Sequence, residues 1–264
     1  MRVFVALVLA TLAGATSASA QTVDVTVFTG LAYPLYDERL TLRPGGPTIP
    51  GVDVTVAEEP VLRGDGGAVF GAALGLEFGP VAIEGRLDSI AAGIDFSGAR
   101  YDLRGTAFPF QDLTASLIAD AGRFDADRIS VLSINARIRT PGPIGLVASG
   151  GLSYLPDLSV SGSVPLNVIA PDLPPFGFAA DLTLRGTPGA SEHRFGVNGG
   201  AGVRLGGGRL ALLAEVRAFY FREYELRFAT TNGPALLDEL LSEADAIRFE
   251  PVFINAQVGL SFRF

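Results

Sequence analysis

The single histidine of this 264-residue chain, His193, stands in the run "SEHRF" beside Ser191 and Glu192. Serine, histidine and a carboxylate are the groups of acyl-transfer chemistry, the imidazole serving as base to the hydroxyl. That chemistry needs the base within hydrogen-bond reach of its nucleophile. A lone histidine where a loop meets a strand is more often structural or simply solvated, and the chain is read as a non-enzyme. It has no cysteine, which removes disulfide frameworks and thiolate metal sites. No metal cluster, phosphate-binding loop or nucleic-acid patch is found, and no cofactor is expected.

The larger set of chemically able residues is charged. Glu77, Glu84, Arg86, Asp88, Arg137, Arg139, Arg194, Arg204, Glu215, Arg217 and Arg263 each lie on the polar side of an alternating segment. Gly71, Gly75, Gly145, Gly151, Gly200 and Gly202 share that side. Long charged groups among glycines suit a narrow interior where each guanidinium needs room and a partner. Their chemistry is ion pairing at low dielectric, where an unpaired member is costly. The arginines outnumber the acids, so some require loop carboxylates, water or anions.

The elements that position these groups are strands. The chain ends "VFINAQVGLSFRF", with Val252, Ile254, Ala256, Val258, Leu260, Phe262 and Phe264 on one parity and Phe253 as the exception on the other. Side chains alternate sides along a strand, so the segment has one apolar and one polar face. Seven more segments read alike: 23–33, 68–78, 81–87, 132–138, 144–154, 195–205 and 210–220. The parity slips around Ser89 to Ile94 and at Ile129 and Val131, which places those residues beyond the bilayer or at bulges. Gly79-Pro80, Pro141-Gly142 and Gly206-Gly207-Gly208 are tight turns. The alternate connections run to roughly thirty residues.

The amino terminus has one basic residue, Arg2, an apolar run from Val3 to about Leu12, and the small-x-small site Ala18-Ser19-Ala20. This is the build of a secretory signal peptide, too short to span a bilayer. Residues 1–20 are read as that signal and 21–264 as one barrel domain. The mature chain is apolar, yet no stretch approaches the ~20 residues of a membrane helix. A soluble sandwich would bury the apolar parity. A charged, glycine-rich opposite parity instead makes that side the interior and turns the apolar side to lipid. The predicted fold is all-β: an eight-stranded antiparallel up-and-down transmembrane β-barrel with long extracellular loops.

The signal peptide, eight strands, short-turn and long-loop rhythm and terminal Phe264 resemble the small outer-membrane β-barrel superfamily of OmpA/OmpX type. The resemblance covers the mature chain but assigns no subfamily or ligand. It implies the outer membrane of a Gram-negative-type bacterium, with lipid and lipopolysaccharide as surroundings. It also implies that Val258, Leu260, Phe262 and Phe264 form the signal read by the barrel-assembly machinery. Tryptophan is absent, so an interfacial girdle would rest on Tyr33, Phe78, Tyr154, Tyr220 and the terminal phenylalanines. Barrels of the lipid A deacylase type use histidine, serine and a carboxylate near the outer rim. Their His-x-Ser motif is broken here by Phe195.

Charge divides along the same lines. Residues 36–66, 97–127, 157–191 and 223–250 carry 21 acids and 9 arginines, a net of −12, while strands and turns are net positive. Acidic loops could attract divalent cations or basic partners, although no calcium-type spacing occurs; solubility alone also accounts for them. Leu236, Leu237, Leu240 and Leu241 predict a short amphipathic helix in the last loop. "SVPLNVIAPDLPPFGF" predicts a stiff extended segment. Each long connection holds a related tetrapeptide, at Leu40, Tyr101, Leu182 and Tyr224, consistent with strands continued past the membrane as a stalk or with coincidence. The expected role is a monomeric barrel with a plugged lumen, structural or surface-binding through its acidic loops. A narrow channel or lateral-diffusion transporter for small or hydrophobic molecules is the second class, and a lipid A-modifying hydrolase the third.

Overall fold

Alternation gives each long segment a side for water-poor charge and a side for grease, and a strand is the conformation that separates them. The computed structural model describes residues 21–39, 52–107, 110–126, 128–156, 158–171, 173–188, 194–222, 224–232 and 247–264, and their regular structure is all strand. β1 (Gln21–Pro34) is followed by the short β2 (Asp37–Arg39) and β3 (Val52–Glu58). β4 (Val61–Phe78) and β5 (Val81–Phe96) form the first tight hairpin. Next come β6 (Ala99–Ala107), β7 (Phe110–Ala119) and β8 (Gly122–Asp125), ahead of the hairpin β9 (Ile129–Arg139) and β10 (Ile144–Tyr154). β11 (Leu158–Ala170) and β12 (Leu173–Pro188) lead to the third hairpin, β13 (Phe195–Leu205) and β14 (Leu210–Phe221). β15 (Tyr224–Asn232), β16 (Ile247–Phe249) and β17 (Val252–Arg263) complete the chain.

Eight of these strands close a ring. β1 pairs with β4, β4 with β5, β5 with β9, β9 with β10, β10 with β13, β13 with β14, β14 with β17, and β17 with β1, all antiparallel. Closure leaves this ring no free edge. Its register slips once, where β4 carries extra residues between Asp65 and Ala68 opposite β5. Gly67 sits in that bulge, and a Cβ there would lie 1.4 Å from the Ala91 carbonyl oxygen, a contact only glycine allows. The bulge faces the stretch where the sequence pattern of β5 slips. Three tight turns and both ends of the ring gather at one rim: Gln21 lies opposite Phe78, and the Phe264 amide donates to the Val23 carbonyl at 2.9 Å. Gly79, Gly142, Gly206 and Gly208 hold positive φ in those turns.

The long connections at the other rim are largely strands too. β3–β6–β7–β11–β12–β15–β16 form a consecutive run of antiparallel pairings, while β8 bridges β5 to β11 and β2 lies on β4. A β extension therefore stands on the barrel, continuous with its sheet, where long loops were expected. The reason is backbone hydrogen bonding: segments of this length away from a rim satisfy their N–H and C=O groups best by pairing with one another. Val61–Gly66, expected as loop, belongs to β4. The tetrapeptides at Tyr101, Leu182 and Tyr224 fall in β6, β12 and β15, and the Pro-rich run forms the β11–β12 hairpin. The tetrapeptide at Leu40 and the predicted helix around Leu236 to Leu241 lie outside the described residues, as do residues 1–20.

An apolar core fills the junction of barrel and extension. Val69, Ile90, Val131, Leu155, Phe219, Phe221 and Phe253 enter from the barrel strands and their ends, and Leu62, Phe96, Phe124, Val160, Leu166 and Tyr224 from above. Phe221 and Phe253 meet edge to face at 6.4 Å between centroids, as do Phe96 and Phe124 at 6.2 Å. The Tyr224 hydroxyl donates to the Leu155 carbonyl at 3.0 Å, so its one polar atom is satisfied. Higher up, burial pushes the Tyr101 phenol above its ordinary pKa, and a hydrogen bond from Ser116 at 2.7 Å holds the neighbouring Asp102 below its own.

Candidate functional site: the charged lumen

Inside the ring the polar parity of every strand converges. Glu77, Glu84, Arg86, Asp88, Arg137, Arg204, Glu215 and Arg217 are buried, and Arg139 and Arg263 are about one-fifth exposed at the turn rim. Asp24, overlooked in the sequence because it stands alone among threonines on β1, is 2% exposed and central. It accepts from Ser261 at 2.8 Å and Thr26 at 3.0 Å and faces Arg137 at 3.4 Å. Its position on the polar parity of β1 was the available signal.

The network has two linked centres. Towards the turns, Glu77 receives Arg263 at 2.9 Å, Arg139 at 3.1 Å and Arg137 at 3.4 Å. Arg137 also reaches Glu84 at 2.9 Å. Deeper in, Arg86 holds Asp88 through two nitrogens, at 2.8 and 2.9 Å, the fork geometry that makes such pairs strong. The same guanidinium reaches Glu215 at 3.2 Å and Gln257 at 2.6 Å and stacks 3.8 Å above the Phe28 ring. Glu215 also takes Arg217 at 2.6 Å, Gln257 at 3.0 Å and Ser149 at 3.2 Å. Arg217 donates on to Asn198, whose amide donates to Asn135 at 2.8 Å and Ser153 at 2.9 Å.

Glycines make the room that this density requires. A Cβ at Gly200 would stand 2.3 Å from Glu215 Oε1, and one at Gly71 would stand 2.2 Å from the Phe28 ring that carries Arg86. Gly200→Ala is expected to destabilise the fold by about 1–3 kcal/mol by forcing the carboxylate off its partners. Urea unfolding measures this. An unchanged midpoint would mean that Glu215 has slack.

Arg194 is the charged residue that stands apart. It lies at the loop rim one residue before β13 begins, where its carbonyl accepts from the Leu155 amide and its guanidinium donates to the Pro156 carbonyl. His193, Ser191 and Glu192 lie outside the described residues. Among the described residues no group of three or more His, Cys, Asp or Glu is placed to hold a metal ion.

The outer wall is the reverse of the lumen. Leu31 and Ile144 are 70% exposed, Leu146 65% and Leu152 63%. Phe70, Ile83, Ile134, Ile138, Val197 and Val216 are exposed on the same wall. Tyr33, Tyr220 and the Tyr154–Phe195 pair stand towards the loop rim, and Phe78, Phe262 and Phe264 at the turn rim. Val258 and Leu260 are exposed on the same strand as the two terminal phenylalanines. A shallow apolar depression lies over Ala201, Ala214 and Ala256, where small side chains thin the wall.

No protein-family model matches the sequence, and no curated protein does. Among solved structures, OccAB3 of Acinetobacter baumannii aligns at 7% identity over 94% of this chain and 100% of that one, with a TM-score of 0.11. OpdK of Pseudomonas aeruginosa, crystallised with vanillate, aligns at 9% identity over 92% and 98%, also with a TM-score of 0.11. The barrel described above rests on the geometry of this chain alone.

Proposed function

We propose that the chain is an integral outer-membrane barrel of a Gram-negative-type bacterium, with a lumen closed by side chains and a structural or surface-binding role exercised through its β extension. One observation supports this above the rest: the wall is apolar outside while the interior holds buried ion pairs. In water that arrangement would expose a continuous greasy belt far larger than monomeric proteins tolerate. In a bilayer it faces acyl chains, with strands of about ten residues long enough to cross and every backbone group of the ring paired. Lipid and lipopolysaccharide are then its surroundings, and Val258, Leu260, Phe262 and Phe264 its address to the barrel-assembly machinery. The acidic connections face outward, where basic partners or divalent cations would meet them.

A conducting role is disfavoured by two layers in series. Among the described residues the ion-pair network occupies the turn-side half, and the buried Phe219, Phe221, Phe253, Leu155 and Ile90 crowd the other half. Eight strands enclose little more than side chains can fill. Reconstituted into planar bilayers, the protein is expected to insert and stay electrically silent. Reproducible stepwise conductance would overturn the closed lumen and favour the channel.

A further inference from the structure

The lumen holds one more cation than it can pair with its own acids. Among the described residues, its guanidiniums are Arg86, Arg137, Arg139, Arg204, Arg217 and Arg263, and its carboxylates Asp24, Glu77, Glu84, Asp88 and Glu215. Five arginines stand within 3.4 Å of a carboxylate oxygen. The sixth is Arg204, which is only 9% exposed and whose Nε and Nη2 are buried with no acceptor. The nearby acid, Glu77, is already shared by Arg137, Arg139 and Arg263 and accepts no hydrogen bond from the Nε or Nη2 of Arg204.

Arg204 has polar as well as apolar neighbours, Val147 and Leu213 among the latter. It borders a small space that Thr26, Glu77, Arg137, Arg139 and Ser261 also line. The free volume there is about 10 Å³, near the minimum for a single water-sized occupant. Water would give the orphaned nitrogens an acceptor and leave the excess charge uncompensated in a low-dielectric interior. A small anion supplies both. The Thr26 and Ser261 hydroxyls beside the space give their protons to Asp24, so the donors open to an anion are guanidinium N–H groups, and three guanidiniums border the space against one carboxylate.

We propose that Arg204 and Arg139 bind a monovalent inorganic anion of halide size at the turn end of the lumen. A halide is larger than water, and Arg139, about one-fifth exposed at the rim, shifts outward to admit it. The site selects by charge, since one anion brings the lumen to neutrality. It rests on the lumen geometry and is independent of where the barrel resides.

The test uses the purified folded protein in whichever medium, buffer or detergent, keeps it monodisperse. Crystals grown without halide and soaked in sodium bromide are expected to show one anomalous peak within about 3.5 Å of the Arg204 guanidinium. In solution, the thermal midpoint is expected to be about 3 °C higher in sodium chloride than in sodium gluconate at equal ionic strength. Arg204→Gln is expected to abolish that difference, and Arg204→Met to do the same should the glutamine variant not fold. A peak occupied by water, an equal midpoint in both salts, or a chloride effect that survives both substitutions would each overturn the site.

Discussion

Glu215→Leu is expected to destabilise the barrel by about 3–5 kcal/mol, the largest loss of any single lumen substitution. The carboxylate is the meeting point of Arg86 at 3.2 Å and Arg217 at 2.6 Å, whose side chains are 2% and 1% exposed. Leucine removes the anion without removing either cation, so two guanidiniums face each other across a dry interior with Asp88 and Glu84 left to hold them. A surface pair gives the contrast. Asp37 and Arg63 stand 3.5 Å apart with side chains about two-thirds exposed, and Asp37→Ala should cost under about 1 kcal/mol. Urea unfolding of both variants beside the wild type settles the comparison. Combining Glu215→Leu with Arg217→Met should recover part of the loss, because the second change removes a cation that the first left unpaired. Equal, small losses for Glu215→Leu and Asp37→Ala would mean that water reaches the lumen freely.

The lower half of the barrel was readable from the sequence because its two environments differ. Charged side chains inside and apolar side chains outside imprint a period of two on each strand, and β10 and β13 run over Ile144–Tyr154 and Phe195–Leu205, the bounds the alternation predicts. The upper half was not readable in that way. Ile90, Ile94, Ile129, Val131 and Phe253 look like lapses in the pattern, yet each is an inward residue in the apolar core. Where the interior turns apolar, inward side chains stop being polar and alternation ceases to mark direction.

The tetrapeptides hinted at strands continued as a stalk, but the pairings of the extension escaped for a different reason. β7 and β11 belong to different connections, and their four paired positions, Ala119 to Ser116 against Leu166 to Ile169, join segments about fifty residues apart. Local periodicity carries no information about such partners. Register slips in β3–β6, β6–β7, β11–β12 and β12–β15 blur it further. The charge surplus was legible as a count of arginines. Its assignment to Arg204 was not, because it depends on Asp24 and on Glu77 being shared three ways.

The outer wall supports the most discriminating test of where this barrel lives. Val216→Arg changes a residue that is 56% exposed midway along β14, with Ala201 of β13 and Ala256 of β17 opposite it. On a water-soluble protein an exposed valine tolerates arginine within about 0.5 kcal/mol, and the added charge would even favour solubility. On a wall facing hydrocarbon the same guanidinium must snorkel or drag water inward, at about 2–4 kcal/mol near the bilayer midplane. Folding into lipid vesicles should therefore lose about 30- to 1,000-fold in equilibrium constant, read by urea titration of vesicle-bound protein. Ser159→Arg, on an exposed position of β11 in the extension, should leave that equilibrium within threefold. The two outcomes diverge because each variant places the same guanidinium on an exposed strand position and the solvent around it differs. Equal tolerance at both positions would place Val216 in water and remove the bilayer from the account of this fold.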